Sequence, residues 1–427
     1  MIVLGGTYRE SVISPDSDEV AGSGMRAAAA LSNRPEGRPV LHTPLDAVGT
    51  NMRDEAELVA AALGVELASG VPDRDEPIGF RYPTPISTPA INGPSSRIQG
   101  EHVVPGGDET VLAFGLIEAP QVNVRDQPTV RVRIEAKTLV IDPQRPRDAE
   151  PLSLAGLDAE SIYVVANAVE ISKLGNASNV REAAAGVLER DRRIRGVVTK
   201  RGAAGCLVST GSDDGVRHEL VGAHPTRRVW PIGSGDVFSA GLAHAIDQGR
   251  SLMEAATVGS AAAAHWCSTR VHGVPPAILA GDSSGLPRAV SPSTPTIYLA
   301  GPFFTIAERW LVETVRDELQ SLGARVWSPF HMVGPGGLEV AEKDLEGLLE
   351  CDVVLALLDH ADPGTVFEVG WAVRHEIPVV GYGLSMNPEG AKMMAGTAVE
   401  LHEDLSSACY RAVWAGMGVR PQPGWVR

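Results

Sequence analysis

At 427 residues the chain exceeds the size at which one hydrophobic core keeps growing, so two domains are expected. A hydrophobic content of 44%, a charged content of 21% and a formal net charge of -16 describe a soluble globular protein, and they argue against a large electrostatic footprint for nucleic acid or an anionic membrane. Cys206, Cys267, Cys351 and Cys409 stand far apart without a C-x-x-C pair, which speaks against a zinc cage or a disulfide framework and fits a reducing compartment.

The opening Met1-Ile2-Val3-Leu4-Gly5-Gly6 reads as a strand entering a glycine turn, with no basic leader pattern, and no apolar run reaches bilayer length. A cytoplasmic protein with no membrane partner and no nucleic-acid partner is expected. Region 80–121 is rich in Pro, Gly and polar residues and reads as loops or a small β-subdomain. It is followed by strands over 138–141 and 162–165, a helix over 182–191, and strands over 196–199 and 205–209. Two Ala-rich helices over 237–248 and 252–266 complete this half, which is α/β.

Residues 274–295 mix Pro275, Pro276, Gly281, Gly285, Pro287, Pro292 and Pro295, a composition that supports neither a helix nor a central strand. The first domain is therefore expected over 1–275, a linker over 276–295 and a second domain over 296–427. In that second domain short apolar strands over 297–299, 325–327, 353–358 and 379–381 alternate with helices over 306–322, 340–350 and 365–375. Such alternation implies a doubly wound parallel sheet, whose ligands gather beyond the carboxyl ends of the strands.

Two clusters carry chemistry. In the first half, Gly233-Ser234-Gly235-Asp236 opens directly onto an Ala-rich helix. Backbone N–H groups at such a turn cradle an anion, and an aspartate there can take a proton from an attacking hydroxyl. A plain glycine turn with a first-turn acid is the competing interpretation. In the second half, Asp362 and Glu368 follow the strand over 353–358 and can face one crevice; two acids in unlike surroundings suit glycosidic chemistry, where one carboxylate traps or stabilises an oxocarbenium-like centre. Val366, Phe367, Val369 and Trp371 are expected to wedge Glu368. Thr365-x-x-Glu368 also satisfies a capping box, in which the glutamate only closes the helix start.

The first half resembles the ribokinase-like (PfkB) carbohydrate kinases over roughly residues 1 to 275. The resemblance rests on Gly233-Ser234-Gly235-Asp236, on Asn167-Ala168-Val169-Glu170 as the N-x-x-E element, on Thr199, Gly202 and Gly205 as the nucleotide-side turn, and on Gly22-Ser23-Gly24. It implies Asp236 as catalytic base and Gly233, Ser234, Gly235, Asn167, Glu170, Thr199, Gly202 and Gly205 at the cofactors, which are ATP and Mg2+ where the domain turns over. Glu170 is implied at the metal, and Gly22 and Gly24 at the sugar. Trp230-Pro231 stands where the family carries an acid-threonine pair, and Arg26 stands near the place of a sugar-holding asparagine. Glu10 is a stand-in for the early substrate aspartate. Arg26 suits a phosphate or carboxylate, although an exposed helix arginine serves the sequence as well.

Residues Thr296 to about Ala415 resemble the nucleoside 2-deoxyribosyltransferase family, which includes N-glycoside hydrolases. The matching residues are Tyr298, Gly301 and Pro302, then Asp344 before Cys351-Asp352-Val353-Val354, then Asp362, Gly364, Thr365 and Glu368. The family implies Glu368 as nucleophile on the sugar C1′, Tyr298 orienting it, and Asp362 and Asp344 working on the base and sugar hydroxyls. Gly301, Pro302, Gly364, Thr365 and Asn387 are implied at the substrate, with no cofactor. It also implies a homo-oligomer. His331, on the loop after the second strand, is a further candidate for protonating the departing base.

The expected fold is thus a ribokinase-like α/β sandwich followed by a smaller flavodoxin-like doubly wound domain. The expected activity is cleavage or exchange of an N-glycosidic bond in a small-molecule nucleoside or nucleotide, coupled to an ATP-dependent sugar or nucleoside kinase. The alternative is a glycosidic enzyme regulated by a catalytically inactive kinase fold that senses a nucleotide or sugar.

Overall fold

The structure, a computed structural model, describes residues 1–119, 132–144, 156–334, 338–386 and 388–426. It divides into two compact units, one comprising Met1–Arg201, Gly205–Val221 and Pro231–Leu286, the other Gly202–Ala204, Gly222–Trp230 and Pro287–Arg427.

In the first unit a ten-stranded sheet runs Gly215–Val221, Cys206–Ser212, Ile194–Lys200, Leu157–Asn167, Val132–Asp142, Thr110–Phe114, Ile2–Leu4, Val40–His42 and Glu66–Leu67, with His102–Pro105 pairing on Val132–Asp142. Among the described residues of this sheet, only the pairings of Ile194–Lys200 with Cys206–Ser212 and of Cys206–Ser212 with Gly215–Val221 are antiparallel. Strand Val132–Asp142 alternates buried and more exposed residues at first, and its closing Leu139-Val140-Ile141-Asp142 is buried throughout. That change marks where the sheet becomes covered on both faces.

Helices Ser234–Asp247 and Leu252–Thr269 pack closely because small residues line their contact: a Cβ on Gly259 would lie 2.8 Å from the Phe238 carbonyl oxygen. The polar stretch after residue 80 contains real strands. Gly79–Tyr82 and Ala90–Asn92 join Tyr8–Val12 and Ser17–Ala21 in a four-stranded sheet that carries Glu10 and Tyr82. The proline-rich stretch is less irregular than its composition suggests, since Pro276–Leu279 forms a helical turn. Proline at a first helical position costs no hydrogen bond and supplies a φ already suited to the helix.

The second unit holds a six-stranded, wholly parallel sheet in the order Arg325–Trp327, Thr296–Ala300, Val353–Leu357, Val379–Tyr382, Val399–His402 and Gly424–Val426. Every residue of Val353–Leu357 is buried, as its uninterrupted apolar run requires. From Thr296–Ala300 the chain first winds one way to Arg325–Trp327 and then the other way to Val353–Leu357. The crevice beyond those strand ends is a topological switch point.

Glu400 pins the far side of this sheet. It accepts from Arg411 Nε at 2.6 Å and Nη2 at 2.9 Å and from the Gln422 N–H at 2.6 Å, and it pairs with His402 Nε2 at 2.9 Å. Among the described residues no helix is long and apolar enough to cross a membrane.

Candidate active sites

Tyr298 lies in the strand Thr296–Ala300, fully buried, with its ring stacked on Trp327 at a centroid distance of 5.0 Å and 12° between planes. Its hydroxyl donates to Glu368 Oε1 at 2.6 Å. The helix that carries Glu368 begins at Pro363 and is capped by Asp362, whose Oδ2 accepts from Thr365 N at 2.9 Å and Thr365 Oγ1 at 3.1 Å. Asp362 performs the capping duty. Glu368 sits in the second turn, and its carboxylate is turned toward the end of the first strand.

Burial is the largest influence on Glu368 and pushes its carboxyl up to about 7; the Tyr298 hydrogen bond pulls the other way, while Asp344 and Asp362 push further up. Asp344, on helix Glu339–Leu349, has a buried Oδ1 without a hydrogen-bond partner, and burial raises its carboxyl too. Burial first, then the negative charge of Glu368, raises the Tyr298 phenol, so Tyr298 stays a donor at neutral pH. Tyr298, Asp344, Asp362 and Glu368 therefore act on one another electrostatically, and a carboxyl near 7 is balanced between proton holder and nucleophile.

Gly301 directly follows the strand, and a Cβ there would meet the Leu357 side chain at 3.0 Å. Pro302 and Thr365 are buried, Gly364 lies in the first turn below Asp362, and Asn387 falls outside the described residues. Val366 and Phe367 do not wedge Glu368: they are 38% and 58% exposed, because neighbours in a helix point to different faces. Val369 is buried, and Trp371 stacks on Phe367 at 6.0 Å. His331 pairs with Glu313 Oε1 at 2.9 Å and lies 3.2 Å from Ser328 Oγ. Trp327 was not singled out in the sequence, yet it backs Tyr298 and presses on the helix of Asp344, where a Cβ on Gly347 would fall 2.1 Å from its ring. Its signal was position, since it ends the second parallel strand.

In the first unit Gly233 adopts φ +78° and leads into helix Ser234–Asp247, with Asp236 buried in the first turn. Arg26 is buried rather than exposed, and its Nη1 donates to Asp236 Oδ2 at 2.6 Å. Gln144 Nε2 donates to Asp236 Oδ1 at 2.5 Å. Arg26 Nη2 meets Glu10 Oε2 at 2.5 Å, and Glu10 Oε1 accepts from the Gly22 N–H at 3.0 Å. Both oxygens of the aspartate at the helix mouth are thus engaged.

Gly22 takes φ +88°, and Gly24 lets strand and helix touch, because its Cβ would lie 2.5 Å from the Gly5 carbonyl. Asn167 and Glu170 form a reciprocal capping box, each side chain accepting from the other's N–H at 2.8 Å. Thr199 is fully buried with an unpartnered hydroxyl, and Gly202 and Gly205 take φ of +52° and +87°.

Below the turn, Lys200 Nζ pairs with Asp142 Oδ2 at 2.5 Å and Ser239 Oγ donates to the same oxygen at 2.8 Å, while Oδ1 is buried and unpartnered. Burial pushes the Asp142 carboxyl up to about 6 against the pull of Lys200. Lys200 Nζ would lie 3.2 Å from a Cβ on Gly235, so its ammonium sits against the glycine turn.

A Mg2+ bound through nucleotide phosphates and waters needs only one or two carboxylates, and Glu170 and Asp142 are both engaged within the chain in this structure, Glu170 in its helix cap and Asp142 with an ammonium. Among the described residues no three His, Cys, Asp or Glu side chains converge as metal ligands. Lys200 lies within the 199–205 turn element of the sequence, whereas Asp142 and Gln144 carry no signal there beyond standing at and just after a strand end.

Residues 297–404 match the family model described as nucleoside 2-deoxyribosyltransferase, and residues 131–274 match that of the pfkB family carbohydrate kinases. No curated protein matches the chain significantly. Among solved structures, phosphofructokinase-2 from Escherichia coli is similar at 16% identity over 67% of this chain and 99% of that one, with a TM-score of 0.46. Fructokinase from Vibrio cholerae O395 gives 14% identity over 65% and 95%, with a TM-score of 0.45. Ribokinase from Thermotoga maritima gives 16% over 67% and 95%, with 0.42. Two family models of unlike chemistry thus match successive parts of one chain.

Proposed function

We propose that this protein joins a PfkB-type domain to a deoxyribosyltransferase-like domain and breaks or exchanges the N-glycosidic bond of a nucleoside or nucleotide at Glu368. The observation that carries this reading is the 2.6 Å bond from the Tyr298 hydroxyl to Glu368 Oε1, formed by a glutamate that its own helix cap does not need.

In the proposed reaction a Glu368 carboxylate oxygen bonds to C1′ as the C1′–N bond breaks, and the electron pair leaves with the base, which takes up a proton. The resulting glycosyl ester is opened at C1′ by a second base or by water, which returns Glu368 as a carboxylate and gives up a proton. Tyr298 holds Glu368 in line. Asp344, with its unpartnered buried oxygen, suits a hydrogen bond to the sugar or base, and Asp362 suits one at the helix mouth. Chromatography of free base from a panel of nucleosides and nucleotides, with Glu368→Ala as control, tests the reading. Absence of base release from every substrate would refute it.

For the first unit a second reading has its own support. The coupled activity would be ATP-dependent phosphorylation of a sugar or nucleoside with Asp236 as base, yet Asp236 is ion-paired to Arg26 and bonded to Gln144. An aspartate whose two oxygens are occupied is poorly placed to accept a hydroxyl proton. The pairing favours a domain that binds a nucleotide or sugar and controls the glycosidic site. ATP turnover that Asp236→Asn abolishes would exclude this second reading, whereas thermal stabilisation by a ligand without turnover would support it.

A further inference from the structure

Arg26 is 2% exposed and has two carboxylate partners, Asp236 and Glu10, yet its Nε has no hydrogen-bond partner. Its Cζ lies 5.6 Å from the centroid of the Trp266 ring, on which His272 packs at 5.2 Å. Burying a guanidinium is costly unless its donors are met, so one unmet N–H in this position marks a site that favours a further acceptor. The place of Arg26 is also fixed independently of Asp236. A Cβ on Gly233 would fall 2.1 Å from Arg26 Cδ and Nε, so the side chain is lodged against the glycine turn, and the Glu10 pair holds its other end.

A neutral hydroxyl is a poor competitor with a carboxylate for a guanidinium, because it brings neither the opposite charge nor the second oxygen of a bidentate pair. Another anion brings both. If Asp236 let go, it would keep one hydrogen bond, since Gln144 Nε2 remains on its Oδ1. Glu10 likewise keeps the Gly22 N–H. The exchange leaves the buried Asp236 with Gln144 as its donor and no counter-charge, so the incoming anion has to outcompete a carboxylate that gains by staying.

We propose that the first unit takes a hydroxylated small molecule bearing a carboxylate or a phosphate, and that this anionic group exchanges with Asp236 on the guanidinium of Arg26. The proposal does not rest on the glycosidic reading of the second unit, and it holds whether or not the first unit turns over ATP.

The test is calorimetric titration of the full chain with ribose, ribose 5-phosphate and gluconate, in wild type and in Asp236→Asn. At least one of the two anions binds about tenfold or more tightly than ribose, and which one does so separates phosphate from carboxylate. Removing the internal competitor by Asp236→Asn tightens that anion about tenfold again. Equal or tighter binding of ribose overturns the proposal, as does failure of both anions to bind at millimolar concentration. Anion binding that Asp236→Asn weakens or leaves unchanged also overturns it, since the anion would then sit elsewhere or use Asp236 as an acceptor. Because the variant keeps Arg26 paired with Glu10, the test does not depend on the harsher Arg26→Gln.

Discussion

The Tyr298 hydroxyl reaches Glu368 Oε1 across the gap between the first parallel strand and the helix that follows the third, and it stabilises the charged form of a carboxyl that burial, even against this bond, holds up at about 7. Replacing the phenol removes that stabilisation. Tyr298→Phe is expected to move the acid limb of the kcat/KM profile for base release to higher pH, and to lower the plateau by roughly tenfold, the worth of one charge-assisted bond. A pH-rate profile of the two proteins checks both.

Asp344 pushes Glu368 in the opposite direction, because its negative charge disfavours a second one nearby. Asp344→Asn is expected to shift the same limb to lower pH. If Asp344 also holds a substrate hydroxyl, KM rises in the same variant. Limbs that shift in the same direction for Tyr298→Phe and Asp344→Asn would contradict the electrostatics of the site.

Glu368 also leaves a mark on stability. Between its ordinary value of 4.5 and about 7 the folded chain holds a proton that an unfolded chain has lost, so the stability of the second unit falls as pH rises through that window. Glu368→Gln abolishes that loss. The variant should match wild type below pH 4.5 and exceed it by roughly 1–2 kcal/mol above pH 7, while losing activity, a result read from denaturant melts at the two pH values.

Glu400 supplies the converse case. His402 and Arg411 outweigh its burial and hold its carboxyl down to about 2, so its contribution is fully present above 4.5 and disappears as pH falls toward 2. Arg411→Met leaves this fully buried acid short of its main partner and is expected to cost about 3 kcal/mol at neutral pH. Thermal unfolding of the second unit measures it.

How much of this was readable in the sequence differed by site. Four of the six strands of the second unit were legible, most clearly where the run is unbroken and apolar, as in Val353-Val354-Leu355-Ala356-Leu357, and their ends lie within about a residue of those expected; Val399–His402, interrupted by Glu400, and the short Gly424–Val426 were not. What sequence left open was which acid closes the Glu368 helix. Thr365-x-x-Glu368 and Asp362-Pro363 are both good helix starts, and only the reach of Tyr298 from a distant strand decides between them. The N-x-x-E element is the mirror case, since Asn167 and Glu170 do form the capping box that their spacing allows.

In the first unit, Arg26 and Asp236 are 210 positions apart, and Gln144 and Asp236 92 apart, so no local pattern could pair them. For the strands around residues 79–92 the composition left loops and a small β-subdomain both open, and the structure shows the β alternative. Gly79–Tyr82 joins the sheet by pairing with Tyr8–Val12, far back in the chain, and Ala90–Asn92 then pairs on Gly79–Tyr82.

The central claim is that Glu368 itself bonds to the sugar. Intact-mass and peptide mass spectrometry after incubation with a nucleoside carrying fluorine at C2′, which slows the second step by destabilising the oxocarbenium-like centre, tests it most directly. The account predicts a gain of one fluorosugar on the peptide containing Glu368, lost in Glu368→Ala. Base release that continues in Glu368→Ala, or a sugar adduct on a different residue, would contradict it.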